Sequence, residues 1–363
     1  MLLFYLLFSN LIFNTCQEIL YNSDQNNKDS FYCYLNKVCQ DICPKEKHYS
    51  YKNLRLSLVE NQKSQVMAVN GLYRPRSALA RALYEKQRND RLLEEFDQTE
   101  WYRVDKSRLS ENLKNKFVQL DPDEETKEFL SASIDKSSWV WTQIWYLLAK
   151  AVLRHFWSIT DINGWLGRGS MFVLSGAQAR RLLGAAGARV GGRLVDVGAG
   201  DGEVSRRFAH LYDDKLATEI SSCMRKALKT KGYTLLDTES WCEGGEFECV
   251  CMLNLLDRCA APRGMLRQAR AALASHGVLL LALVLPYKPY VEVTPDHKPT
   301  ERLPITGVTF EEQVSSFVSF MREMGFELSA WSRAPYLCEG DFAQAYYWLD
   351  DSVYVFKPID IKS

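Results

Sequence analysis

Glycines and acids with the spacing of a ligand-binding turn are concentrated in the stretch Arg193–Val204, which reads RLVDVGAGDGEV. An apolar run around Asp196 is followed by glycines at alternate positions, Gly198, Gly200 and Gly202. This order predicts a buried parallel strand, a tight turn and the start of a helix. Glycine adopts positive φ and lets the backbone approach a ligand, and a helix N-terminus adds free N–H groups. The stretch therefore predicts a site for a nucleotide-type ligand.

The glycine spacing distinguishes between nucleotide cofactors. Dinucleotide-binding folds use G-x-G-x-x-G, whereas this chain has D-x-G-x-G-x-G, so a dinucleotide is disfavoured. The acid within the strand, Asp196, has two interpretations. It can be a structural carboxylate bonded to the backbone amides of the glycine turn, or it can lie near a cationic ligand. Both remain open, because a buried carboxylate needs partners in either case.

Polar residues also follow the next predicted strands. Glu219 ends the second strand, 23 residues after Asp196, where a carboxylate can accept both ribose hydroxyls of an adenosine cofactor. The alternative is a solvated acid at a strand end. Asn254 follows the fourth strand, and its amide suits the amino-acid part of a methionine-type cofactor or a substrate amide. Asp257 lies three residues further on, either in the same cleft or as the N-cap of the next helix.

The alternation of apolar runs and amphipathic stretches after residue 193 predicts an α/β fold. We expect a Rossmann-like, seven-stranded, mostly parallel sheet with helices on both faces and an N-terminal helical extension. The connection 333–350 shows no helical pattern and is predicted to be a loop, which favours an antiparallel last strand. The predicted strands are 193–198, 215–219, 232–236, 247–253, 277–284, 325–332 and 351–356, and the predicted helices are 203–211, 222–230, 263–274 and 310–323.

Amino-acid composition and hydrophobic pattern divide the chain into three parts. Residues 1–66 are rich in Asn and Lys and are predicted to be a poorly ordered extension with a signal-like apolar start, too short to span a bilayer. Residues 67–185 are predicted to form a helical region and a cap on the substrate side, and residues 186–358 the cofactor-binding domain. The apolar, Trp-rich segment 139–158 is interrupted by Lys150 and Arg154, which favours burial against the domain over a membrane span.

Charge and cysteine content bear on partners and metals. The 45 basic and 45 acidic residues cancel, so there is no global electrostatic footprint for nucleic acid, and none is expected as a partner. No C-x-x-C pair occurs among the ten cysteines, so we expect no zinc site.

Five motifs in order resemble a known family. They are INGWLGRGSMFV at 162–173, DVGAGDG at 196–202, LNLLDRC at 253–259, LALVLPYKPYVE at 281–292 and PYLCEGD at 335–341. With Glu219, they are similar to the DREV-type protein-histidine N-pros-methyltransferases, the methyltransferase-like protein nine family of class I S-adenosylmethionine-dependent methyltransferases. The resemblance runs from about residue 100 to 358. The chain departs from the family in the long Asn- and Lys-rich segment before Arg74.

The resemblance implies S-adenosylmethionine as cofactor and methyl transfer to histidine in His-x-His motifs of protein substrates. It implies cofactor contacts by Glu219, Asn254 and Tyr336, and a segment closing over the active site. We predict Asp257 as the catalytic carboxylate. The motif residues predicted to bind the cofactor are Asp196, Gly198, Gly200 and Asp201, and the closing segment, which is predicted to bind the substrate, is Arg168, Gly169 and Ser170. The family further implies the endoplasmic reticulum or mitochondrion; we expect a monomer without a transmembrane span.

Three other functions share parts of this pattern. A methyltransferase acting on a small molecule or on another protein residue has the same cofactor motif. A non-catalytic binding protein with the fold is a second alternative, and the intact glycine turn, Glu219 and Asn254 argue against it. A nicotinamide oxidoreductase is the third, and the glycine spacing disfavours it.

Overall fold

Strand and helix alternate after Arg193, as the hydrophobic pattern predicts, in a computed structural model that describes residues 77–154, 159–292 and 294–359. The predicted extension over 1–66 lies outside the described residues, and the three domain boundaries stay predictions. The described chain separates into two compact units. Residues 77–87 and 147–154 belong to the first, and residues 88–146 and those from 159 to 359 belong to the second, which holds the sheet and the site.

One sheet organises the second unit. Its spatial order is β1-β7-β8-β6-β5-β2-β3-β4. Strands β2, β3, β4, β5 and β6 are parallel to one another, whereas β8 is antiparallel to β6 and β7, and β1 is antiparallel to β7. The strands are β1 Met171–Phe172, β2 Arg193–Val197, β3 Asp214–Thr218, β4 Thr234–Leu235, β5 Phe247–Leu253, β6 Leu273–Val284, β7 Phe326–Glu339 and β8 Tyr346–Pro358.

Helices connect most of these strands and precede the sheet in the chain. Two 3-10 turns, Gln98–Tyr102 and Lys106–Arg108, lie between the first two helices. The helices are α1 Ala78–Glu95, α2 Glu111–Lys116, α3 Glu124–Ser138, α4 Val140–Leu153, α5 Ile159–Leu166, α6 Gly176–Ala185, α7 Glu203–Ala209, α8 Ser222–Thr230, α9 Pro262–Ala272 and α10 Phe310–Glu323.

The structure corrects two expectations about the sheet. The described sheet has eight strands, not seven, because the two-residue β1 pairs with the end of β7. The predicted loop 333–350 is wrong: β7 continues to Glu339, β8 begins at Tyr346, and the two form an antiparallel hairpin. Pro335 obscured the strand, since proline donates no ladder hydrogen bond and usually marks a strand's end or edge. The antiparallel direction of the last strand is confirmed.

Burial of the central strands explains their near-continuous apolar sequences. Residues 278–283 of β6, VLLLAL, are fully buried, as expected for a strand covered on both faces. Because β2, β3 and β5 are parallel, their carboxyl ends meet at one edge of the sheet. The glycine turn, Glu219 and Asn254 come directly after these three strands, so the fold collects the predicted residues at that edge.

The Trp-rich segment is less buried than expected at its start. Trp139, the C-cap of α3, and Trp141, in the first turn of α4, are 65% and 84% exposed. Within the described residues, every helix is too short or too polar to cross a bilayer.

We predict that Gly202→Ala destabilises the fold far more than Gly200→Ala. Both glycines have positive φ, so each change costs about 1–2 kcal/mol of backbone strain. A methyl group at Gly202 would meet Leu228 Cδ2 at 2.7 Å, whereas no described atom lies within 4 Å at Gly200. The clash adds about 1–3 kcal/mol for Gly202→Ala. Urea unfolding of the ligand-free variants measures the difference, and equal destabilisation would contradict this packing.

Candidate active site

The glycine turn is fastened to the end of β3. The Gly198 N–H donates to the carbonyl and to the hydroxyl of Thr218, both at 3.1 Å, and the Ala199 N–H donates to the same carbonyl at 3.0 Å. A side chain at Gly198 would meet Leu255 Cδ1 at 2.7 Å. The turn therefore packs directly against the segment that follows β5, which brings two of the predicted site regions into contact.

Glu219 is held in place by backbone N–H groups. Its Oε2 accepts from the Gly200 N–H at 2.8 Å, and its Oε1 accepts from the Ile220 and Ser221 N–H groups, each at 2.8 Å. The residue is partly exposed. The carboxylate is thus fixed beside the glycine turn with lone pairs left for ligand hydroxyls.

Asp196 is buried, but it does not bind the turn as one interpretation expected. The turn amides are bonded to Thr218, Glu219 and Ala199, while the Asp196 carboxylate is hydrogen-bonded to the Ser205 hydroxyl on α7. Burial raises the pKa of Asp196 to about 7; the Ser205 bond lowers it and the nearby charge of Glu219 raises it further.

Asp201 faces the helix side of the turn. Its carboxylate accepts from the Glu203 N–H at 3.0 Å and pairs with Lys231 Nζ at 3.2 Å. The same ammonium group binds the Asp201 carbonyl at 2.6 Å and the Glu203 carboxylate at 2.8 Å. These contacts hold the turn, and its predicted cofactor contact stays a prediction.

Asn254 has a left-handed backbone, with φ of 59°, directly after β5. Asparagine tolerates this conformation better than most residues. Its side chain is 92% buried, and its Nδ2 donates to Asp351 Oδ2 at 2.9 Å. No described atom hydrogen-bonds to its Oδ1. The sequence analysis did not identify Asp351, because this residue of β8 lies 97 residues from Asn254 in the chain.

Asp257 lies in the turn that follows Asn254 and is only 4% exposed. Its Oδ2 pairs with Arg258 Nε at 3.2 Å, while its Oδ1 lacks a hydrogen-bond partner in the described part of the chain. Burial raises the pKa of Asp257, and the Arg258 charge opposes this. The N-cap alternative is wrong, since the next helix is capped at Ala261.

Tyr336 lies on β7, not in the irregular loop that the sequence indicated. Its hydroxyl donates to Met171 Sδ. Burial raises the pKa of Tyr336 well above its usual range, and the charges of Cys338, Asp257 and Asp351 raise it further. The tyrosine is therefore close to the polar cluster at the ends of β5 and β6.

The segment predicted to close over the site lies along the end of β7. Arg168 Nε pairs with Glu339 Oε1 at 2.8 Å in a buried contact, and the Arg168 guanidinium covers the ring of Tyr146 at 4.6 Å. The Ser170 carbonyl accepts from the Glu339 N–H at 2.9 Å, and Gly169 between them has φ of 80°. The segment is thus next to Tyr336, and its closing role stays a prediction.

The sequence from Trp101 to Pro358 matches the model of the DREV methyltransferase family over residues 101–358, more than two thirds of the chain. The chain belongs to the DREV methyltransferase family. The match includes the glycine turn, Glu219, Asn254, Asp257 and the hairpin that carries Tyr336. The expected resemblance to the family is confirmed. The protein is a methyltransferase, and its methyl donor is S-adenosylmethionine.

Solved structures of similar fold are distant. The methyltransferase CalH complexed with S-adenosylhomocysteine is 14% identical, over 64% of this chain and 73% of that chain, with a TM-score of 0.39. The DhpI–S-adenosylhomocysteine complex is 13% identical, over 63% and 98%, with a TM-score of 0.35. An S-adenosylmethionine-dependent methyltransferase from Clostridium acetobutylicum is 9% identical, over 58% and 96%, with a TM-score of 0.35. Likeness at this level carries no argument about substrate.

The residues at the edge of the sheet fit S-adenosylmethionine. Three buried acceptor oxygens, on Asn254, Asp257 and Asp351, have no hydrogen-bond donor among the described residues. Unsatisfied buried acceptors are rare and call for a ligand that supplies donors. The ammonium group of an amino-acid cofactor suits Asn254 and the neighbouring charge of Asp351, and Glu219 is placed for ribose hydroxyls. No trio of His, Cys, Asp or Glu side chains within the described ranges is arranged to hold a metal ion.

We predict that Asp196→Asn removes a pH-dependent part of the stability. Because the folded-state pKa of Asp196 is raised to about 7, its ionisation opposes folding. The wild type should lose stability, on the order of 4 kcal/mol from this group, as pH rises from about 4 to above 7. Urea unfolding at several pH values should show that the stability of the variant rises relative to that of the wild type across that range. A difference that is constant with pH would contradict the assignment.

Proposed function

We propose that the protein transfers the methyl group of S-adenosylmethionine to a ring nitrogen of histidine in His-x-His motifs of protein substrates. The observation that carries the proposal is the buried, unpartnered Oδ1 of Asp257, for which the described chain offers no donor. An imidazole N–H is a donor that a carboxylate oxygen can accept. The family resemblance supports the choice of histidine over other acceptors.

The chemistry requires little beyond positioning. S-adenosylmethionine supplies a methyl group made electrophilic by its sulfonium charge. A neutral imidazole, with a free pKa of about 6.5, has its lone pair available at pH 7 without a strong general base. The enzyme must hold the attacking nitrogen in line with the methyl carbon at roughly 3–3.5 Å.

Asp257 selects which nitrogen attacks. When its carboxylate accepts the N–H of one ring nitrogen, the other nitrogen carries the lone pair, so the tautomer and the ring orientation are set together. The same carboxylate stabilises the positive charge that the ring gains on methylation. Arg258, half-exposed and paired with the other oxygen, keeps Asp257 oriented and opposes the burial that favours its protonated form.

An aromatic surface adjoins the backbone of Asp257. Tyr290 donates its backbone N–H to the Asp257 carbonyl at 2.8 Å. Its ring is 43% exposed and stacks on His297 at 4.7 Å, with an angle of 16° between the planes. Such a surface supports the proposal, since imidazole rings of a peptide pack well against aromatic faces. The partners that we propose are proteins with alternating histidines, and the compartment is the endoplasmic reticulum or mitochondrion by family resemblance.

We predict that labelled S-adenosylmethionine transfers its methyl group to a His-Ala-His peptide and not to an Ala-Ala-Ala control. Mass spectrometry of the product should place the methyl group on one ring nitrogen of one histidine. S-adenosylhomocysteine binding, measured by calorimetry, confirms that the protein is competent. Cofactor binding without label on the peptide would refute the histidine assignment and leave the methyltransferase assignment standing. Label on a small molecule or another residue would support the alternative substrate class.

We predict that Asp257→Asn lowers turnover of the peptide by about 100-fold or more. An amide at this position loses the negative charge that stabilises the methylated ring. Affinity for S-adenosylhomocysteine should change by less than about threefold, since the cofactor contacts lie on other residues. Asp214→Asn is the matched control, because Asp214 is exposed at the amino end of β3, on the opposite edge of the sheet. Equal loss of turnover and cofactor affinity would indicate a structural role for Asp257.

A further inference from the structure

We propose that Asp351 is a positioning residue for the cofactor: its carboxylate orients the side-chain amide of Asn254 so that the amide oxygen faces the ammonium group of S-adenosylmethionine. The inference rests on the methyl donor and is independent of whether the acceptor is histidine. Asp351 lies on β8, outside every motif that marked the site and 97 residues from Asn254.

The two ends of an asparagine amide are nearly identical in shape and opposite in hydrogen bonding. A carboxylate accepts and does not donate, so it pairs with the NH2 end alone. In the structure Asn254 Nδ2 donates to Asp351 Oδ2 at 2.9 Å, and the oxygen end is left without a described partner. The carboxylate therefore selects the orientation that leaves an acceptor free for a donor-bearing ligand.

Backbone hydrogen bonds hold the main chain of both residues in place. The Asn254 N–H donates to the Ala282 carbonyl at 3.0 Å, on the neighbouring strand β6. Asp351 sits in the β8 ladder opposite Val284, and the next residue, Ser352, donates its hydroxyl to the Leu283 carbonyl at 2.7 Å. The end of β6 thus separates the two residues and holds each in register.

The charge of Asp351 also points to a cationic ligand. The residue is fully buried, and its Oδ1 has no hydrogen bond within the described ranges. Burial raises the pKa of Asp351 well above its usual range; the bond from Asn254 lowers this pKa, the charge of Asp257 raises it, and the backbone amides of Ser352 and Leu283 lower it. A buried carboxylate with one oxygen unpaired is costly for the fold alone. A bound ammonium group would supply the compensating positive charge.

The experiment compares calorimetric affinities for S-adenosylhomocysteine, without peptide, in four proteins. These are the wild type, Asp351→Asn, Asn254→Asp and the double variant that exchanges the two residues. Asp351→Asn should weaken binding by about tenfold or more, because a charge-assisted bond and a nearby negative charge are lost. Asn254→Asp should weaken it on the order of 100-fold, because two carboxylates then face each other.

The double variant gives the decisive result. With Asp at 254 and Asn at 351, the amide donates in the reverse direction, and the second oxygen of the new carboxylate is available to the ammonium group. We expect affinity within about tenfold of the wild type. Asp351→Asn should therefore weaken binding when it is added to the wild type and strengthen binding when it is added to the Asn254→Asp variant. The same weakening in both backgrounds would overturn the proposal.

Asp350→Asn is the matched control. Asp350 precedes Asp351 on β8, so its side chain points to the other face, where it pairs with Arg333 at 2.5 Å. This variant should leave S-adenosylhomocysteine affinity unchanged, and an equal loss would attribute the effect to disturbance of β8. If an exchange variant fails to fold, NMR of the wild type still tests the contact. The Asn254 side-chain NH2 protons should be protected from hydrogen exchange before ligand is added, and rapid exchange would refute the bond.

Discussion

Buried acceptor oxygens without donors are the constraint on which the rest of this structure depends. Those of Asn254 and Asp257 follow the end of β5, that of Asp351 lies opposite the end of β6, and no described group hydrogen-bonds to them. Each such group opposes folding by about 1–3 kcal/mol. The fold tolerates this because the flanking strands are fully buried and apolar. The site is therefore held open to donors and positive charge before any ligand arrives, which is the preorganisation that methyl transfer from a cation requires.

Two distant parts of the chain contribute the residues of the site. The glycine turn and Glu219 are built almost entirely from backbone hydrogen bonds, so that the carboxylate is already oriented. The C-terminal hairpin of β7 and β8 contributes Tyr336 and Asp351 from the other side. In the function that we propose, the turn recognises the nucleoside, and the hairpin places charge and aromatic surface around the amino-acid part and the acceptor.

Local sequence patterns could predict the first part and not the second. Glu219 and Asn254 each follow an apolar run directly, so strand-end reasoning finds them. Only the family resemblance identifies Tyr336, because Pro335 favours a loop at the position of its strand. Asp351 was missed, since a carboxylate in a strand is informative only once its partner across the sheet is known. The two-residue β1 owes its existence to pairing with β7, and the partner of Asp196 proved to be Ser205 on α7.

The bond between Asn254 and Asp351 spans 97 residues, which ties the site to the order in which the chain folds. Contacts of such separation close large loops and form late. A growing chain can build β2, β3 and β5 and their glycine turn while β8 has still to be synthesised. During that interval the Asn254 amide has no carboxylate to orient it. With the role that we propose for Asp351, competence to bind the methyl donor therefore depends on completion of the whole sheet.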